Sequence, residues 1–136
     1  MSQFNFYEDS ALTSPAAIRL VQTANVLPPP VDVLVYLGAT SAGWVLENAA
    51  EGDPILVFVD DSDIGSGLSG DAVKLALSSA GLDGASGGVA LALPTSIASG
   101  AANAIPVYIR FEPQNVPVGR YVDLSLRVND VIEYQP

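Results

Sequence analysis

The chain has 136 residues, 49% of them apolar and only 15% charged, with 12 Gly and 10 Pro: it is long enough to bury a core of its own and is broken by many turns. Fifteen Asp plus Glu stand against five Lys plus Arg, a formal net charge of −10, so no basic patch exists to displace counterions from phosphates, and neither nucleic acid nor an anionic membrane surface is an expected partner. With no Cys and no His, disulfides, thiolate chemistry, the usual zinc sites and Ser-His-Asp catalysis each lack a required residue, and the expectation is a protein that is not an enzyme and takes no cofactor.

Residues 1–16 read as an N-terminal arm that precedes the main domain, 17–136. Phe4, Phe6 and Tyr7 are set among acids, Ser and Pro without a sustained period. They either tuck against the domain or anchor the arm on a neighbouring subunit, and these three are the leading candidates for a contact surface. MSQFNFYEDSALTS lacks the basic region and apolar core of a secretory leader, and no run approaches eighteen apolar residues, so synthesis in a cytosol is expected.

AIRLVQT (17–23) is a candidate strand, closed by the stiff Pro28-Pro29-Pro30. VDVLVYLGAT (31–40) is rich in β-branched and aromatic residues. SAGW then turns the chain into a short strand, WVLEN, which places Trp44, the only Trp, in a core or at an interface as a weaker contact candidate. EGDP is a further turn and leads into PILVFVDD (54–61).

The adjoining segment, DDSDIGSGLSG, contains the letters G-x-G-x-x-G of a dinucleotide site at Gly65, Gly67 and Gly70. In such a site the first Gly comes almost directly after its strand and backbone N–H groups meet a pyrophosphate. Here Asp60, Asp61 and Asp63 intervene and would repel it, and the later segments supply no second βαβ half, so the cluster reads as a connecting loop. The same acids raise a Ca²⁺ site, but a loop counted from Asp61 puts Gly65 at its fifth position and Ala72 at its twelfth, where oxygen ligands are needed. An irregular cation site on Asp60, Asp61 and Asp63 stays open as the alternative, and a solvated acidic loop is the plainer reading. Residues 72–80 fit either a strand, with Val73, Leu75 and Leu77 alternating, or a helical turn capped by Asp71 and ended by Gly81.

GGVALALP supplies one more short strand. In AIPVYIRFEP, Val107, Ile109 and Phe111 alternate with Pro106, Tyr108 and Arg110, and in YVDLSLRV, Val122, Leu124, Leu126 and Val128 alternate with Asp123, Ser125 and Arg127. That period of two marks half-buried strands, and the Pro and Gly of EPQNVPVGR suit a hairpin or corner between them. About seven or eight short strands at roughly ten-residue intervals predict an all-β fold, a single antiparallel immunoglobulin-like β-sandwich with an N-terminal arm. Tyr36, Tyr108, Tyr121 and Tyr134 are scattered along the sequence and are expected to face outward singly.

The segment 105–128 resembles the closing strands of two groups of β-sandwich proteins. Pro106-Val107-Tyr108, then Gly119, Tyr121 and Asp123, match the PVY and G-x-Y-x-D strands of the spore-coat-U and chaperone/usher pilin-like group. Val116, Pro117, Gly119 and Tyr121 match the V-P-x-G-x-Y corner common in immunoglobulin-like domains of tailed-phage particles. The absence of cysteine and of a leader separates the chain from the secreted pilins. The resemblance to phage domains implies a virion structural protein made in the host cytoplasm, above all a capsid cement or decoration subunit. Its partners would be the major capsid protein or other virion subunits, and a homo-oligomer, for example a trimer, would suit a shell's local threefold positions. A tail, neck or baseplate component, a carbohydrate-binding module for the host surface and a pilin-like fibre subunit are the alternatives.

Overall fold

In a computed structural model of the chain, residues 3–16, 20–22, 31–61, 73–112, 119–121 and 124–136 are described. The fold is all-β: antiparallel sheets with one short helix, as the strand spacing predicts. Among the described residues no helix is long and apolar enough to cross a membrane.

The largest sheet has four strands in the order β1-β3-β9-β6: β1 (Asn5–Tyr7), β3 (Val31–Gly38), β9 (Ile105–Phe111) and β6 (Val73–Ala76). β9 keeps the predicted alternation, with Val107, Ile109 and Phe111 buried and the residues between them half-buried on the opposite face. β2 (Leu20–Gln22) pairs with β10 (Gly119–Tyr121).

Two further sheets have three strands each. In one, β5 (Leu56–Asp61) lies between β11 (Leu124–Val128) and β7 (Leu91–Ala92). In the other, β4 (Val45–Asn48) lies between β12 (Val131–Tyr134) and β8 (Ser96–Ala98). The same three passages of chain build both, since β4 runs on to β5, β7 to β8 and β11 to β12. Backbone bonds carry the pairing across the breaks: Ala49 N–H donates to the Asp130 carbonyl, Asn129 to Leu56 and Leu93 to Ile55. Asn129 adds its side-chain oxygen to the Leu56 N–H at 3.0 Å, and Asn48, the buried polar residue here, bonds the Pro54 carbonyl and the Ala50 N–H. These bonds satisfy backbone groups that a kink would otherwise leave bare.

Side chains from all three of these sheets meet in one core. Phe4, Val35, Leu37, Val73, Leu75, Val107, Ile109 and Phe111 come from the four-stranded sheet and the residue before it, and Leu46, Ile55, Val57, Leu93 and Ile97 from the others. No two strands consecutive in the chain are paired with each other among the described residues. β9 pairs with β3 and β6, and β11 with β5, so these two strands are not the arms of one hairpin; most of EPQNVPVGR, residues 113–118, lies outside the described residues.

Of the stretch 72–80, the described residues 73–80 resolve into both elements that the sequence left open. β6 keeps Val73 and Leu75 buried, and Leu77 is exposed. A six-residue helix, α1 (Ser79–Gly84), then begins where the expected helical turn was to end. Its cap is Ser78, whose hydroxyl accepts the Gly81 N–H at 3.0 Å, and Leu82 is its buried residue. Gly81 lies against Ala76, where a Cβ would approach the Ala76 methyl to 3.2 Å, so α1 covers part of the outer face of β6.

Candidate functional site

The stretch expected to form an arm is wound onto the four-stranded sheet. β1 pairs with β3, and the chain then folds back along the outer edge of β1: Ala16 N–H donates to the Phe6 carbonyl at 2.9 Å, Tyr7 bridges to Pro15, and Glu8 N–H reaches Ser14. The Asp9 carboxylate holds this loop by accepting the Thr13 hydroxyl and the Thr13 and Ser14 N–H groups, which lowers its pKa, the Thr13 hydroxyl first. Leu12, in a left-handed conformation, is buried where Gly38, having no Cβ, leaves room for its side chain.

The four candidate contact residues therefore part company. Phe4 is fully buried in the chain's own core and offers no surface to a neighbour. Glu133 on β12 clamps the segment beside it, its carboxylate oxygens accepting the Gln3 N–H at 2.9 Å and the Phe4 N–H at 3.1 Å. Phe6 faces inward with its partner Leu37, packs against the core and lines an open cavity of about 280 Å³ with Asn5, Leu126, Arg127 and Val128. Trp44 is half-buried against the core, its backbone tied to Ser99 through the hydroxyl at 3.0 Å and the N–H at 2.8 Å. Only Tyr7 takes the outward side of its strand.

Strand register shows what lies beside it. On the outer face of the four-stranded sheet Tyr7 is opposite Tyr36, and Tyr36 is opposite Pro106. The next row along is Leu34, Tyr108 and Ala76, and the row after that Asp32, Arg110 and Lys74. Tyr7 and Tyr36 are direct cross-strand neighbours, about 5 Å apart at Cβ, and Tyr36 and Tyr108 are diagonal ones at about 7–8 Å. Tyr36 and Tyr108, expected to face outward singly, are thus gathered with Tyr7 on one face. Tyr7, Leu34, Tyr36, Pro106 and Tyr108 are all half-buried there.

An ionic cluster closes one end of this patch. The Arg110 guanidinium grips Asp32 with two bonds, Nε to Oδ1 at 2.8 Å and Nη2 to Oδ2 at 3.0 Å, and donates Nη1 to Asp83 of α1 at 2.8 Å. Lys74 pairs with Glu112 at 2.6 Å. The hydrogen bond from Arg110, reinforced by its charge, holds the Asp32 carboxyl below its usual pKa against the opposing effect of burial, and the same bonds raise that of Arg110. Three carboxylates face two cations, which leaves the cluster with an excess of negative charge.

No family model, characterised protein or solved structure matches the chain. The functional reading therefore rests on the surface itself.

The acidic loop is described only in part. Asp60 pairs with Arg127 across β5 and β11 at 2.9 Å. Asp63 and the glycines of GSGLSG lie outside the described residues. Among the described residues no group of three acids is placed to hold a metal ion.

Proposed function

We propose that this chain is a non-enzymatic structural subunit of a tailed-phage virion, a capsid cement or decoration protein that binds neighbouring shell subunits, possessing a two-layer β-sandwich of the broad immunoglobulin-like kind. The four-stranded sheet is one layer, and the two three-stranded sheets together form the other. Counted as passages of chain, β1, β3, β4–β5, β6, β7–β8, β9 and β11–β12 make seven. The order departs from the immunoglobulin pattern, in which the last two strands are neighbours in one sheet. From β3 onward each of these seven passages lies in the other layer from the one before it, with β10 paired to β2 in a sheet apart. Most connections of jelly-roll sandwiches do the same, an architecture of virus-shell and lectin domains, and the support this lends is by analogy of fold.

The observation that carries the reading is the outer face of the four-stranded sheet, where Tyr7, Tyr36 and Tyr108 stand on three adjacent strands. Tyrosine brings large contact area at small entropic cost, and a paired sheet holds it in place, which suits adhesion to another protein. The partner is the major capsid protein or another virion subunit, and the subunit itself is a homo-oligomer, a trimer where it sits at local threefold positions.

Co-sedimentation tests the reading: the purified chain is mixed with shells assembled from the major capsid protein of the same particle and pelleted. Saturable binding at a fixed number of copies per shell is expected. Absence of the chain from the pellet at both low and physiological salt refutes the cement role. Light scattering of the free chain measures its oligomeric state.

A further inference from the structure

We infer that the outer face of the four-stranded sheet, centred on Tyr7, Tyr36 and Tyr108 and edged by Asp32, Asp83 and Glu112, docks an arginine-bearing protein surface; the inference deepens the reading above and rests on it for the identity of the partner. Arginine is the side chain that both halves of this face accept. Its guanidinium stacks on aromatic faces and forks onto carboxylates, whereas an ammonium is a compact, strongly hydrated point charge.

The chain's own Arg110 already fits this environment. It lies two residues from Tyr108 on the same face of β9, is gripped by Asp32 and reaches Asp83. Its partners are nevertheless open to solvent, with the Asp32 side chain 45% exposed and that of Asp83 76% exposed. Glu112 is 42% exposed beside Lys74. Each carboxylate therefore keeps room for a second guanidinium. With three acids against two bases at this edge, and −10 over the whole chain, charge complementarity selects a basic partner and opposes a second copy of the same face.

Titration of the full-length chain with two peptides of equal charge and length, Arg alternating with Gly and Lys alternating with Gly, tests this at physiological salt. Binding is read by calorimetry and by shifts of the tyrosine ring resonances. The Arg peptide is expected to bind about fivefold more tightly than the Lys peptide. Tyr36→Leu and Tyr108→Leu, which keep an apolar side chain on the sheet, should each weaken Arg binding about two- to fivefold. Tyr36→Phe and Tyr108→Phe should retain it, and thermal melts verify that all four variants are folded. Asp53→Asn, in the exposed turn between β4 and β5, should leave it unchanged.

Equal binding of the two peptides, or Leu variants that bind like the wild type, overturns the inference. So does saturable binding of an oligosaccharide panel that the Leu substitutions abolish without any preference for Arg, which would make the face a glycan platform. The shell experiment separates the two failures. Shell binding untouched by the Leu variants sinks this face alone, and Arg-selective binding without shell binding sinks the cement role alone.

Discussion

Replacing Phe4 by alanine tests whether the N-terminal segment belongs to the folded unit. Phe4 is fully buried in the core that the three larger sheets share, so the substitution removes a whole aromatic ring from packed surroundings. Losses of this kind cost about 3–5 kcal/mol, a fifth or more of the roughly 5–15 kcal/mol that stabilises an ordinary domain. With a urea dependence of about 2 kcal/mol per M, the unfolding midpoint should fall by about 2 M. Trp44, the only Trp and half-buried against the core, reports the transition by its fluorescence. Glu133→Gln, which weakens the clamp on the Gln3 and Phe4 N–H groups, should cost about 1–3 kcal/mol. Because both residues hold the same segment, the double variant should lose less than the sum of the two. A change under about 0.5 kcal/mol for Phe4→Ala, the size of an ordinary surface substitution, would show that the segment is a detachable arm and refute the argument.

Gly38→Ala puts a methyl 2.8 Å from Leu12 Cδ1 and 3.1 Å from Ala104 Cβ in a filled interior, and should destabilise by about 1–3 kcal/mol in the same assay. Ser78→Ala removes the cap of α1 and should cost about 1 kcal/mol, with faster amide exchange confined to residues 79–84. The carboxyls of Asp32 and Asp9 titrate below their usual range in the folded chain, so the stability they contribute is present at neutral pH and disappears as pH falls from about 4 through their folded values. Arg110→Gln should flatten that acid limb in urea titrations run from low to neutral pH. Tyr134 shows the opposite sign: its hydroxyl donates to Glu47 at 2.8 Å, which with burial and the charges of Glu47 and Glu51 raises its pKa, so its contribution holds below about pH 10 and fades above it. Glu47→Gln should remove that loss, as read from midpoints at high pH.

Strands were legible where alternation is written into consecutive residues. Val107, Ile109 and Phe111 face inward as their spacing requires, and Leu126 and Val128 pack against the core while Arg127 is exposed. Pairing was not legible, because register joins residues far apart in the chain. That is why Tyr36 and Tyr108 look scattered in the sequence and adjacent in the sheet. Phe4 was ambiguous because three aromatics among polar neighbours have no period from which a face could be read. The start of α1 was misplaced because Asp71 and Ser78 are both acceptable caps, and only the packing of Leu82 and the fit of Gly81 against Ala76 select the later one.

The lack of hairpins among the described residues bears on how the chain is made. On the ribosome β1 and β3 can pair once both have emerged, but the other edge of β3 waits for β9, and β4 and β5 each have one edge that waits for β12 and β11. The clamp that fixes Gln3 is supplied by a residue 130 positions later. Until β11 and β12 have emerged, apolar edges stand open, so this unit should fold late, slowly for its size, and aggregate most readily as a nascent chain that lacks these strands.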